Sequence, residues 1–362
     1  MDFKVEYPSF CAMAKKDYNL YFSDSYTNSL FMLDMRNEKI KYISDFPDET
    51  KDELIHCRAF VIDTVIVFVP DQGNYIHIVD INSTNVFSVK LNKVKDSRYA
   101  INDCVLVDGV IWIFPGDGIN EIISFDTKTM CLRRHGVVNK ELCNKGESVY
   151  FYKLACKNRI VYMVEYGTSF IVAYDIDGKN SKIIDTGVNN LMTIDIVNNT
   201  IWITSSDGVV YRYDENKNNF MAYDIEDGES SGSWLVFSVL DCIMLVSEQG
   251  GYVYKLDESF NKFVIMKELY IEPTDSTCKG EIYQIYKHGS EIIFSVPRGI
   301  NCLQRIVDCK IQKMNFKFSN CDVYKNIRIK SFQKKIKSGM VLKENSDLNL
   351  SSYIELIDNN GI

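Results

Sequence analysis

One pattern recurs seven times along the 362 residues: an apolar run ending in Asp, then polar turn residues, then a second apolar run. The copies are LFMLDMRNEKIKYI, IHIVDINSTNVFSV, IISFDTKTMCLRRH, IVAYDIDGKNSKII, VYRYDENKNNFMAY, VYKLDESFNKFVIM and LQRIVDCKIQKMNF, with their aspartates at Asp34, Asp80, Asp126, Asp175, Asp214, Asp257 and Asp308. Successive aspartates lie 39 to 51 residues apart, about 46 on average, which is the length of a four-stranded propeller blade. Before each aspartate comes another apolar run, such as NLYFSD, VIVFVP or TIWITS, and before that a third. Each repeat therefore reads as four short strands joined by tight Asn, Asp or Gly turns. The fold class expected is all-β: a seven-bladed β-propeller of four-stranded antiparallel blades spanning 1–320. Its blades lie at about 8–50, 54–93, 99–139, 148–189, 191–227, 233–273 and 281–320. Helical periodicity is missing before residue 320, which argues against βα units.

A carboxylate repeated once per blade at the end of the third strand has a structural use: it accepts backbone N–H bonds in the following turn. A catalytic acid is needed once, not seven times. The seven aspartates are accordingly expected to be turn residues, and no catalytic residue is assigned.

The repeats resemble the equivalent half-blades of kelch-type and quinoprotein-like propellers; DGVVYRYDENKNNF and GGYVYKLDESFNKF are the most similar. Gly250 and Gly251 alone suggest the kelch double glycine, and the quinoprotein docking tryptophan, the WD40 dipeptides and the sialidase aspartate box are missing. The resemblance implies an architecture and no activity.

The formal charge of −8 argues against nucleic acid or an anionic membrane as partner. No stretch approaches the length of a spanning helix, and the start has no signal-peptide pattern, so a cytoplasmic location is expected. The 11 cysteines are scattered without a C-x-x-C pair and are expected to be reduced core residues. Four histidines stand far apart, and no nucleotide-binding glycine motif or nucleophile elbow occurs; neither a metal nor a cofactor is expected.

Ligands of propellers gather where loops converge at one end of the central channel. Reading the ends of the second strands and the starts of the first gives a candidate ligand-binding set: His56, Arg58, Arg98, Tyr99, Tyr150, Tyr152, Trp234, Tyr283, Arg298, Asp71, Asp117 and Glu165. Aromatic rings beside carboxylates and guanidinium groups suit a protein or glycan-like ligand. A non-catalytic binding propeller is the first expectation. The alternative is a lyase or hydrolase acting on a glycan or small molecule at the channel mouth, with His56, Arg58 and a loop carboxylate as its chemical groups.

Two features lie outside the repeats. Residues 2–7, DFKVEY, either supply an outer strand that closes the ring or form a short arm, because IQKMNFKF already offers the last blade its outer strand. The tail 321–362 begins with KNIRIKSFQKKIK, basic throughout, expected to be a solvated segment packing on the acidic propeller. It ends with DLNLSSYIELI, which places Leu350, Tyr353, Ile354 and Ile357 on one face of a short amphipathic helix.

Overall fold

The computed structural model describes most of residues 8–330. Residues 1–7, 9, 25–26, 50–54, 92–100, 102, 116–120, 139–150, 166, 227–232, 249–250, 272–283, 289–290, 296–302, 308–309, 315, 319–322, 325, 328–329 and 331–362 lie outside the described residues. DFKVEY and the amphipathic segment 347–357 fall in that set.

Seven consecutive antiparallel meanders of four strands occupy residues 10–45, 56–90, 104–134, 151–185, 191–225, 234–271 and 284–313. They are called blades 1 to 7 below. Seven apolar clusters fill the spaces between successive blades. Ala12 and Phe68 share the cluster between blades 1 and 2, Val69 and Ile113 that between 2 and 3, and Trp112 and Met163 that between 3 and 4. Ile171 and Ile203 join blades 4 and 5, Trp202 and Leu245 join 5 and 6, and Val246 and Ile306 join 6 and 7. The last cluster, with Phe10 and Phe22 against Ile293 and Leu303, returns from blade 7 to blade 1 and completes the ring. The sequence periodicity follows from this: inner strands bury both faces and read as continuous apolar runs, whereas outer strands alternate.

The turn aspartates behave as their repetition implies. Asp34, Asp80, Asp126 and Asp214 each accept backbone N–H bonds from the residues two and three positions on, and Asp175 and Asp257 from the residue two on. Backbone N–H bonds hold the carboxyls of Asp34, Asp80 and Asp126 below the usual range. Four residues after each of these six aspartates the chain turns left-handed, at Glu38, Thr84, Met130, Lys179, Asn218 and Asn261, with φ between 48° and 60°. Asparagine tolerates that conformation best among these residue types, and β-branched threonine worst. Replacing Thr84 by Asn, the residue blades 5 and 6 already use, should stabilise the protein by about 1 kcal/mol; urea unfolding midpoints of the two proteins measure it.

Ring closure differs from both alternatives raised by the sequence. The segment IQKMNFKF divides: Lys310–Lys313 is the outer strand of blade 7, and Lys317–Phe318 crosses to pair in parallel with Lys39 and Ile40 on the outer edge of blade 1. Met314 and Phe316 between them pack into the closing cluster. The chain after blade 7 thus covers an edge that would otherwise be open to other strands. Residues 323, 324, 326, 327 and 330 are helical, and Tyr324 packs among Phe31 and its neighbours with its hydroxyl 3.3 Å from Asp24 Oδ2. Among the described residues no helix is long and apolar enough to cross a membrane.

A second parallel junction joins the outer strands of blades 5 and 6, where Asp224 and Ile225 pair with Lys262 and Phe263. It makes these two blades one eight-stranded sheet.

Candidate channel site

The inner strand of each blade pairs on one side only, so alternate backbone N–H groups face the ring axis without a strand partner. Two buried or half-buried carboxylates meet that need. Asp103, at the start of the inner strand of blade 3, accepts the Leu154 N–H of blade 4 at 3.1 Å. Asp195, in the inner strand of blade 5 (Leu191–Val197), accepts the Val236 N–H of blade 6 at 3.1 Å. Each carboxylate therefore sits on the axial side of the neighbouring blade. Hydroxyls make similar links: Thr193 Oγ1 donates to the Trp234 carbonyl, and the Lys15 N–H donates to the Tyr286 hydroxyl.

Bulges aim further side chains at the same end. The first residues of the inner strands in blades 1, 2, 4 and 5 break register with the second strand, between Phe10 and Met13, His56 and Arg58, Phe151 and Leu154, and Leu191 and Thr193. An extra residue reverses the side to which the next side chain points. Arg58 follows one bulge and Lys153 lies within another.

Arg58 grips Asp103 with two bonds, Nε to Oδ1 at 2.6 Å and Nη2 to Oδ2 at 3.1 Å. The Cys104 N–H adds a fourth bond to that carboxylate. Burial pushes the Asp103 carboxyl up, but the charge and hydrogen bonds of Arg58, with Lys153 and the Leu154 amide, outweigh it, and the net shift is downward. Asp103 is a saturated anion. Asp195 is its opposite: burial pushes it up to about 6, which the Val236 amide and the charges of Lys153 and Arg58 only partly offset and Glu248 reinforces. Charged groups from blades 2, 3, 4, 5 and 6 therefore act on one another across the axis.

The candidate residues named from sequence fall in three groups. His56 and Trp234 are buried inside interfaces between blades rather than on a loop surface. His56 Nε2 lies 2.8 Å from His77 Nδ1, whose Nε2 in turn meets the Pro47 carbonyl at 3.0 Å, and the pair is boxed by Phe46 and Phe68. The Pro47 carbonyl requires Nε2–H on His77, so His77 Nδ1 is the acceptor and His56 Nε2–H the donor. Burial pulls His77 below the usual histidine range. Trp234 stands edge-on to Tyr254 at 5.6 Å. Arg58, Asp71 and Glu165 lie at the channel end: Asp71 is buried with its amide on the Ile55 carbonyl, and Glu165 closes the second strand of blade 4. Arg98, Tyr99, Asp117, Tyr150, Tyr283 and Arg298 lie outside the described residues, as does the side chain of Tyr152.

Asp103, Lys153 and Asp195 were absent from the sequence-derived set because they belong to strands, not loops. The signal was present: Asp195 is the sole charged residue of LMTIDIV, and an acid within an otherwise apolar inner strand asks for a partner.

Among the described residues no group of three or more His, Cys, Asp or Glu side chains is placed to hold a metal ion.

No family model and no curated protein matches the chain, so the kelch-like resemblance stands at the level of the propeller. Solved structures do share the fold. Catalytically inactive virginiamycin B lyase from Staphylococcus aureus with quinupristin superposes with a TM-score of 0.62 at 12% identity, covering 82% of this chain and 94% of that one. YCF48 from Cyanidioschyzon merolae gives 0.63 at 10%, covering 83% and 95%. Kluyveromyces lactis Hsv2 gives 0.53 at 12%, covering 85% and 98%. YCF48 has also been solved bound to D1 peptide, with a TM-score of 0.60 at 9% identity. At these identities the likeness is one of fold.

Proposed function

We propose that this propeller is a non-catalytic binding module that takes a protein or peptide segment at the channel end where its inner strands begin. The observation that carries the reading is the convergence of Arg58, Lys153, Asp103, Asp195 and Glu248, from five blades, on the axial edges of the inner strands. Opposed fixed charges beside edge N–H groups suit a ligand that brings both donors and acceptors, as a peptide does. The YCF48–peptide structure supports a peptide on this kind of scaffold. No comparison bears on the glycan half of the expectation.

Panning a random displayed-peptide library near neutral pH should recover ligands whose affinity falls about tenfold or more when Lys153 is replaced by Met, the loss typical of a charged contact at an interface centre. Recovering no peptide, or only ligands indifferent to Lys153, opposes the reading.

One observation favours a second reading. A carboxyl raised to about 6 is suited to general acid or base work, and one fold neighbour is a lyase. Incubating recovered ligands with the protein and weighing them by mass spectrometry separates the two: unchanged mass is expected, and cleavage or elimination that disappears in Asp195→Asn establishes the enzyme.

A further inference from the structure

Asp103 and Asp195 cap equivalent edges, yet they differ in what remains of them. Asp103 spends its acceptor capacity on Arg58, Cys104 and Leu154. Asp195 gives one oxygen, Oδ2, to the Val236 N–H and, among the described residues, has no cation within ion-pair distance. An ionised carboxylate offers about four acceptor positions, so most of its capacity is open. The side chain is half-buried rather than sealed, so the channel reaches it. Arg58, Lys153, Asp103, Asp195 and Glu248 together carry one excess negative charge when all are ionised. A carboxylate held away from bulk water with one amide as partner gains most from a full positive charge that also donates hydrogen bonds.

We propose that Asp195 receives the ammonium or guanidinium group of a lysine or arginine side chain presented by the peptide ligand. The inference rests on the binding reading above and specifies its ligand. Arg58 from blade 2 and Lys153 from blade 4 bound the site on the cationic side, and Glu248 from blade 6 on the anionic side. They orient the incoming cation towards Asp195, because every other approach brings it nearer to a like charge or to the already neutralised Asp103. Since Asp195 titrates at about 6, its charge is present above that pH and lost below it. Cation affinity should fall as pH drops through 6, and binding near pH 6 should release a proton.

The test uses the full chain and three acetylated pentapeptide amides, Ala-Ala-X-Ala-Ala, with X as Lys, Arg or norleucine, followed by calorimetry or by NMR shifts of the backbone amides. At about pH 7.5 the Lys and Arg peptides should bind at least about tenfold tighter than the norleucine peptide. That preference should vanish at about pH 5 and in Asp195→Asn. Asparagine keeps an oxygen for the Val236 N–H, so the variant should retain its fold, which its melting temperature checks. Equal binding of all three peptides, or a preference that survives Asp195→Asn, overturns the proposal. If library-selected peptides bind without a basic residue, this inference falls and the binding reading stands; if no peptide binds, both fall.

Discussion

Replacing Asp103 by Ala should lower the unfolding free energy by about 3 kcal/mol, among the largest effects of any single polar substitution in the molecule. The substitution strips Arg58 of both bonds of its bidentate pair and leaves the Leu154 N–H facing the channel without an acceptor. The cost sits towards the low end for a broken buried pair, because the Arg58 side chain is 31% exposed and water can partly replace the carboxylate. Removing both partners, as in Arg58→Met with Asp103→Leu, should recover much of the loss, since no buried charge is then stranded. Denaturant unfolding of the two single variants and the double variant gives the coupling directly. Single losses that simply add in the double variant would show that the pair contributes no coupling.

Trp202→Ala should cost about 3–5 kcal/mol. Trp202 is 1% exposed and packs against Tyr223 at 5.2 Å and Phe263 at 6.0 Å, in the cluster between blades 5 and 6. Those partners flank the parallel pairing of 224–225 with 262–263, so the cavity undermines the junction that merges the two blades. Amide exchange at Asp224, Ile225 and Glu226 should therefore accelerate more than exchange in blades 2 and 3. Trp202→Phe should cost far less, within about 1.5 kcal/mol, because the indole N–H is buried without an acceptor and its removal returns a desolvation penalty that offsets part of the lost packing. A Trp202→Phe loss as large as that of Trp202→Ala would mean that the N–H has a use the structure does not reveal.

The fold was legible because its rules are local. A turn aspartate with a left-handed residue four positions on can be read from a dozen residues, and so can an apolar run bounded by Asn-Asn or Asp-Gly. Repeating such a unit seven times leaves few arrangements that bury every apolar face. The channel was less legible, for reasons visible at single residues. His56 reads as a loop-facing residue, but it stands just before a bulge and its ring lies between blades 1 and 2 against Phe46. Alternation carries no mark of where an extra residue enters one strand, and a slip of one residue reverses every side-chain direction beyond it. Asp195 was passed over for a similar reason: an acid in a strand looks like a solvent-facing residue until a second strand, 41 positions later, brings the Val236 N–H to it.

From the sequence alone came the number of repeats, the four strands in each and the structural duty of the recurring aspartates, because each depends on torsions and hydrogen bonds among neighbours in the chain. The tertiary structure alone decided that Lys317–Phe318 seals the edge of blade 1, and which charged residues meet at the axis. Those outcomes depend on contacts between blades separated by up to the whole length of the ring, where the register of one strand and the closure of the circle, not residue type, select the partners.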